Sequence, residues 1–432
     1  MDFQLANKNF KIDTSKLDST QANAVQSEKD NVVIKAGAGS GKTHTLINAI
    51  AAYRYEHIND RICAITFTRA ARAEMEGRLR EMGIYDVEVT TIHVWARNLL
   101  DYFADKYDFK VQVLEENQIK IILQEIVKDY LVRARVKSVN IGILYTYITG
   151  SKTMDITENY RRTLNALEER YIRYKRDNCL YDFTDYPQYL WDVMRIFNEE
   201  INNIDALFVD EFQDVDRVQF KIFEKVNANK KFFIGDPWQS IYIFRAADGE
   251  VFNKLDNFQF YKLKYNYRSF QEIIDYATTV YTSLYDAAEE GHGNCYVSKI
   301  LYTEPSSIVC SRGYGGRVVV INPFGSSFEK QGDSEMCGTK SNWTFELKEM
   351  LDLNPMILCR TNKQVRALQD YGITNVSTVH QAKGLEYDNV IVVDHDISSV
   401  EDLNIAYVAL TRAKDSVLVV NFAQLESYLK RR

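Results

Sequence analysis

The chain has 432 residues, 46% hydrophobic and 26% charged with five prolines, which excludes a disordered or fibrous protein and, at roughly 150 residues per domain, suggests two to four domains. A net charge of -7 excludes a uniformly basic nucleic-acid binder, so any such surface must be a local basic and aromatic track. The opening MDFQLANKNFKIDTSK lacks a basic-then-apolar leader pattern, and no apolar run reaches the ~18 residues of a membrane span. A cytoplasmic, nucleoid-associated setting without membrane contact is the expectation.

Taken in chain order, the first informative element is Val32–Ala36, a short apolar run suited to a buried parallel strand. It leads into AGAGSGKT, Ala36 to Thr43, and then into a helical stretch through Ala52. Strand, glycine loop and helix in this order form a phosphate cradle. Gly37, Gly39 and Gly41 let the backbone curl around Ala38 and Ser40 so that successive N–H groups face phosphate oxygens. Lys42 is placed to reach the β- and γ-phosphates and Thr43 to hold Mg²⁺. A glycine-rich turn without a ligand is the competing reading, and the coincidence of GKT with strand and helix weighs against it.

The run Ala206–Val209 predicts a second buried strand ending in Asp210, Glu211, Phe212, Gln213 and Asp214. Carboxylates at such a strand end lie beside the phosphate loop in parallel sheets. Asp210 then suits Mg²⁺, and Glu211 suits orientation and deprotonation of an attacking water. An acidic turn capping a helix is the alternative. A third run, Lys231–Ile234, opens into Gly235, Asp236, Pro237, Trp238 and Gln239, with Gln239 positioned to sense the γ-phosphate. The six cysteines, Cys63, Cys179, Cys295, Cys310, Cys337 and Cys359, show no CxxC pair and no histidine at zinc-ligand spacing, so reduced thiols are expected.

These segments stand in an ordered series that resembles the UvrD/Rep-like helicases of superfamily 1. The series runs through Gln21 in LDSTQANAV, the phosphate loop, ITFTRAARAEM, TIH from Thr91, VDEFQD and GDPWQSIYIFRAAD. It continues with NYRS, ILCRTNKQVRAL, STVHQAKGLEYDNVIVV and YVALTRAKDSVLVV. The resemblance implies an α/β fold of two RecA-like P-loop domains with parallel sheets and a mostly helical accessory insertion in the first. It further implies that Gln21 reads the adenine edge, Tyr267 stacks on the base, Glu386 contacts the ribose, Gly384 belongs to the ATP-binding set, and Arg268 and Arg412 reach the γ-phosphate. For DNA it points to Phe67, Tyr242, Phe244 and Arg245 as stacking or cradling groups, and to Thr91, His93, Thr378 and His380 as phosphate or base contacts. The chain departs from the pattern at Phe244, where many relatives have Trp, at Arg69-Ala70 in place of Asn-Lys, and at Pro237-Trp238 in place of a more polar pair. Trp238 is left with no reading beyond packing at the hinge.

The expected organisation is a first RecA-like domain over 1–103 and 177–265, a helical insertion over 104–176, and a second RecA-like domain over 266–432. Basic clusters in the insertion, Arg133 to Lys137 and Arg170 to Arg176, suit either a strand of DNA or a solvated face. Between the ILCRTNKQVRAL and STVHQAKGLEY segments stands only QDYGITNV, Gln369 to Val376, so the large second insertion of long relatives is absent there. The implied activity is an ATP- and Mg²⁺-dependent helicase or translocase, moving 3′ to 5′ on single-stranded DNA and single-strand/duplex junctions. It is expected to be monomeric and to work with replication or repair proteins. The competing classes are a translocase that strips bound proteins without separating strands, and an ATP-binding scaffold without turnover.

Overall fold

The computed structural model describes residues 16–134, 138–149, 156–241, 249–290, 308–321, 343–394, 397 and 399–431. Its strands are β1 (Asn31–Ala36), β2 (Ile62–Thr66), β3 (Glu88–Thr91), β4 (Ala206–Val209), β5 (Lys230–Gly235), β6 (Gln259–Leu263), β7 (Tyr265–Asn266), β8 (Val309–Cys310), β9 (Arg317–Val320), β10 (Met356–Cys359), β11 (Val376–Thr378), β12 (Tyr387–Val393) and β13 (Ala413–Val420). The helices are α1 (Ser19–Val25), α2 (Lys42–Glu56), α3 (Arg69–Glu81), α4 (Ile92–Tyr107), α5 (Glu116–Ala134), α6 (Ile141–Thr149), α7 (Glu158–Asp177), α8 (Tyr186–Phe197), α9 (Arg217–Glu224), α10 (Gln271–Glu290), α11 (Trp343–Asp352), α12 (Asn362–Asp370), α13 (Val400–Leu410) and α14 (Phe422–Leu429). Among the described residues no helix is long and apolar enough to cross a membrane.

Two sheets organise the larger compact unit, which comprises residues 1–90, 202–220 and 226–432. The first has the order β3-β2-β4-β5-β1-β6, and its β2-β4, β4-β5, β5-β1 and β1-β6 pairs are parallel. The second has the order β11-β10-β12-β13-β9 and is parallel throughout. Strands covered on both faces are largely apolar, which is why the VVI of NVVIKA, ICAIT and ALFV read as apolar runs, with Lys35 a buried cation within β1. Of these, β1 and β5 exceed their sequence-predicted bounds by one or two residues, and β4 matches its own. In the second core α13 is buried almost all round, from Val400 through Leu410, as a helix enclosed by other elements must be.

The smaller compact unit comprises residues 91–201 and 221–225. It is wider than the 104–176 stretch marked out by helical periodicity and basic residues. Within it α4 and α8 turn apolar faces inward, with Trp95, Leu99, Leu100 and Phe103 on one and Leu190, Val193 and Met194 on the other. Helices α5, α6 and α7 bury a second cluster that includes Ile119, Leu123, Leu144, Tyr147, Leu164, Leu167 and Tyr171.

One polar network sits inside this helical unit. Lys175 Nζ donates to Asp182 Oδ2 at 2.8 Å and to Asp185 Oδ2 at 2.6 Å, and the Tyr171 hydroxyl donates to Asp182 Oδ2 at 2.9 Å. Lys175 and Asp182 are buried, so this member of the Arg170 to Arg176 cluster is turned inward rather than toward solvent. Arg170 pairs with Asp129 at 3.1 Å, and Arg173 and Arg176 are exposed. Of the other basic cluster, Arg135, Val136 and Lys137 lie outside the described residues. Removing the cation from a buried pair leaves uncompensated charge and costs about 3–5 kcal/mol. Lys175→Met is therefore expected to bring forward a thermal unfolding transition of the helical unit, and a transition unchanged from wild type would remove the network from its stabilising role.

Candidate nucleotide site

Adjacent parallel strands bring their C-terminal loops together, so the loops after β1, β4 and β5 converge at one edge of the first sheet. The loop after β1 carries Gly37 to Gly41, with Gly41 in the left-handed region (φ 78°) as the N-cap of α2. Lys42 and Thr43 occupy the first turn of that helix. The Thr43 hydroxyl donates to Asp210 Oδ2 at 3.1 Å across 167 positions of chain. Glu211 follows in a left-handed conformation (φ 48°, ψ 43°), an uncommon one for a residue with a side chain. After β5, the Asp236 backbone N–H donates to Gln213 Oε1 at 2.8 Å, and Gln239 Nε2 donates to Asp236 Oδ2 at 2.8 Å. The three loops are thus knit by side chains as well as by the sheet.

The second core closes over this edge. Asn266 donates to the Ala38 carbonyl at 2.6 Å, and the Tyr267 N–H donates to the Gly39 carbonyl at 2.8 Å. At Gly39 (φ +67°) a Cβ would come within 2.7 Å of both Arg268 Cβ and the Asn266 amide, so a glycine is needed for contact as well as for conformation. Gln21, buried in α1, donates to the Ser40 carbonyl at 3.0 Å. The half-exposed Tyr267 donates from its hydroxyl to Asp18 Oδ2 at 2.6 Å, and Asp18 also caps α1.

Arg268 Nε lies 2.8 Å from Glu386 Oε2 and its Nη1 donates to the Thr411 carbonyl at 3.2 Å. Glu386 also receives Lys414 at 3.1 Å, while Gly384 adopts φ 87° in the turn before it. Arg412 is fully buried. Its guanidinium donates to the Val408 carbonyl at 3.2 Å, the Leu385 carbonyl at 3.0 Å and Gln239 Oε1 at 3.3 Å. Through that last bond the second core reaches the γ-phosphate sensor proposed from sequence.

Charge in this region is divided between donors and acceptors that each need an opposite partner. Burial and the adjacent Glu211 push Asp210 up to about 7, and burial pushes Asp214 and Asp236 up to about 6. Glu211 is opposed by burial but held below its usual range by Lys42 and Lys383. Lys42 acts in the same direction on all four carboxylates. On the other side, burial and repulsion from Arg268 lower Arg412 to about 9.

Lys383 was not singled out in the sequence. It donates to Asp214 Oδ2 at 2.6 Å and to the Gln239 carbonyl at 2.9 Å, joining the second core to two loops of the first. A single lysine in QAKGLE carries no local mark of a partner 169 positions away. Asn266, which orders the NYRS turn by accepting from the Arg268 and Ser269 N–H groups at 2.9 and 2.8 Å, was not singled out either, and its bond to the Ala38 carbonyl spans 228 positions.

The residues expected to touch DNA are distributed differently. Phe67 follows β2 and is half-buried, and His380 Nε2 lies 3.2 Å from the Ile241 carbonyl. Thr378 is buried in β11 and accepts from the Gln381 N–H, so its side chain presents no surface to a strand in this conformation. Thr91 is the N-cap of α4 and His93 is exposed in its first turn, both in the helical unit. Tyr242, Phe244 and Arg245 lie outside the described residues.

Residues 17–259 match the model of the UvrD/REP helicase N-terminal domain, and residues 375–420 match that of the UvrD-like helicase C-terminal domain. The chain is 26% identical to a probable DNA helicase of Mycoplasma pneumoniae over 95% of its own length and 84% of the relative's. It is 30% identical to a probable DNA helicase II homolog of Mycoplasma capricolum over 60% of this chain and 40% of that one. It is 27% identical to the ATP-dependent DNA helicase PcrA of Leuconostoc citreum over 83% of this chain and 48% of that one. The chain therefore spans most of the first of these relatives and less than half of the other two. With the phosphate loop, acidic motif and sensor turn all inside a match that covers more than half of its residues, the chain belongs to the UvrD/Rep helicase family.

Proposed function

We propose that the protein is a DNA-stimulated ATPase that moves along single-stranded DNA, with ATP held at the seam between the two RecA-like cores. The observation that carries this reading is the buried Arg412 guanidinium, which bridges from the second core to Gln239 of the first. A cation buried among neutral acceptors gains most from an anion, and a terminal phosphate at the adjacent loop supplies one. On this reading the cores run over 1–103 with 177–265 and over 266–432, and the helical insertion contacts the substrate through exposed residues such as Arg173 and Arg176.

Each site residue then has a physical task. The backbone from Ala36 to Gly41 and Lys42 cradle the phosphates, Gln21 and Tyr267 flank the base, and Glu386, preceded by Gly384, meets the ribose. Glu211 accepts the proton of the attacking water while Gln239, Arg268 and Arg412 meet the charge that gathers on the transferring phosphoryl group. Thr43 and Asp210 fit Mg²⁺ because they pair a hydroxyl with a carboxyl raised by burial beside another acid, a charge conflict that a hard cation relieves. When bound, the ion supplies counter-charge to the phosphate oxygens.

The seam closes when ATP brings both arginines onto its γ-phosphate, and it opens after hydrolysis removes that phosphate. Phe67, Thr91, His93, Tyr242, Phe244, Arg245, Thr378 and His380 are the proposed contacts that convert this motion into steps along one strand, with Thr378 acting through the backbone at its turn. Travel is 3′ to 5′, in a cytoplasmic setting, at single-strand/duplex junctions shared with replication or repair proteins. Five residues, Tyr371 to Asn375, separate α12 from β11 and leave no space for a second large insertion between them, and a monomer suffices for unwinding.

Lys42→Ala is expected to lower kcat for ATP by roughly 10³-fold or more while single-stranded DNA still binds, and turnover near wild type would exclude Lys42 from the reaction. Arg268→Ala is expected to lower kcat by about 10³-fold, the lower range for an arginine finger, with DNA affinity retained; a change confined to KM would assign it to ground-state binding. Duplexes with a 3′ tail should be unwound in single turnovers at enzyme excess with no requirement for two protomers per substrate. Activity confined to 5′-tailed duplexes would reverse the polarity, and hydrolysis without strand separation would favour a protein-displacing translocase.

A further inference from the structure

Trp238 lies between Asp236 and Gln239 in the turn after β5, a turn that belongs to the first core in sequence. Its backbone N–H donates to Asp236 Oδ1 at 3.1 Å, which fixes the turn, and its side chain is 5% exposed. The indole leaves its own core and packs among residues of the second, including Ile273, Ala277, Tyr281, Leu403 and Tyr407. Ala38 of the phosphate loop belongs to the same packed cluster.

Three rings close on one another there. Trp238 stacks on Tyr281 with centroids 4.1 Å apart and planes 15° apart, and it meets Tyr407 edge-on at 5.2 Å and 87°. Tyr281 and Tyr407 touch at 5.8 Å and 78°. The Tyr281 hydroxyl donates to Asn404 Oδ1 at 2.7 Å, and Asn404 Nδ2 donates to the Ser240 carbonyl at 2.7 Å, so the circuit returns to the chain two residues beyond Trp238. A Cβ on Gly37 would lie 3.8 Å from the Tyr407 hydroxyl, which places that ring against the phosphate loop.

The two helices that hold the indole adjoin the arginines in the chain. Tyr281 is on α10, which starts three positions after Arg268, and Tyr407 is on α13, which ends two positions before Arg412. Gln239, the next residue after Trp238, accepts from Arg412. Aromatic stacks tolerate little change in ring spacing, and packed interiors pass displacement on rather than absorbing it. We infer that Trp238 is a positioning residue, an aromatic wedge that sets the distance between Gln239 and the two arginines and transmits seam closure to all three. This rests on the proposed ATPase site. It assigns Trp238 no contact with nucleotide, since its ring acts through Gln239, α10 and α13.

The test compares wild type with Trp238→Phe, which keeps a stacking ring, and Trp238→Leu, which fills the space without one. With saturating single-stranded DNA, W238L should lose roughly 10- to 100-fold in kcat with KM for ATP within about threefold of wild type, as expected when reacting groups are misplaced by an ångström or less. W238F should recover most of that loss. The tryptophan emission of wild type minus that of W238F should change when a nonhydrolysable ATP analogue is added. Turnover of W238L within about threefold of wild type, or a loss in both variants that follows their melting temperatures, would overturn the proposal. Should W238L fail to fold, the emission difference decides alone, and a signal indifferent to the analogue overturns it. Failure of the ATPase reading itself is separate, because it would appear as absent hydrolysis in wild type.

Discussion

A buried guanidinium with only neutral hydrogen-bond partners is the constraint around which this site is arranged. Transfer of a charge out of water costs several kcal/mol even after relaxation, and three neutral acceptors on Arg412 offset only part of it. Arg268, close enough to repel it, adds to the cost, while Glu211 and Asp236 draw the other way. Opposite them Asp210, Asp214 and Asp236 are carboxyls pushed upward by the same burial. The buried Arg412 and the buried carboxyls Asp210 and Asp236 border a seam where a triphosphate and a divalent cation would meet opposite charge. The geometry thus gives a physical reason why closing the seam and binding nucleotide are one event under the proposed reading.

The second core is attached to the first largely through the phosphate loop and the sensor turn. Asn266 and Tyr267 bond to carbonyls of Ala38 and Gly39, Lys383 spans Asp214 and the Gln239 carbonyl, and the Trp238 ring enters the second core's packing. These two loops have little room: at Gly39 there is no space for a Cβ, and Gly235 would bring one to 2.9 Å from the Gln213 backbone N. Tightness here serves transmission, because a close-packed joint moves as a unit.

Much of the first core was legible because its signals are local. Buried parallel strands are rich in apolar residues, so the cores of β1, β4 and β5 announced themselves, and the loop chemistry at their ends followed from residue type. The roles given to Gln21, Tyr267, Arg268, Glu386 and Arg412 came instead from resemblance, since a lone arginine or tyrosine has no periodicity to read. What escaped was adjacency across long stretches of chain. Lys383 with Asp214, Asp18 with Tyr267, and Trp238 with Tyr281 and Tyr407 join segments that only the assembled sheets bring together. Lys175 illustrates the opposite error, in which a basic cluster that reads as surface conceals one member paired inside.

The central claim is that groups from both cores act on one terminal phosphate. A crystal structure with a nonhydrolysable ATP analogue, Mg²⁺ and single-stranded DNA tests it most directly. The account predicts Arg268 released from Glu386 and, with Arg412, within hydrogen-bonding distance of the γ-phosphate, facing Lys42 and Gln239. Both guanidinium groups still directed away from that phosphate in a closed, nucleotide-filled seam would contradict it.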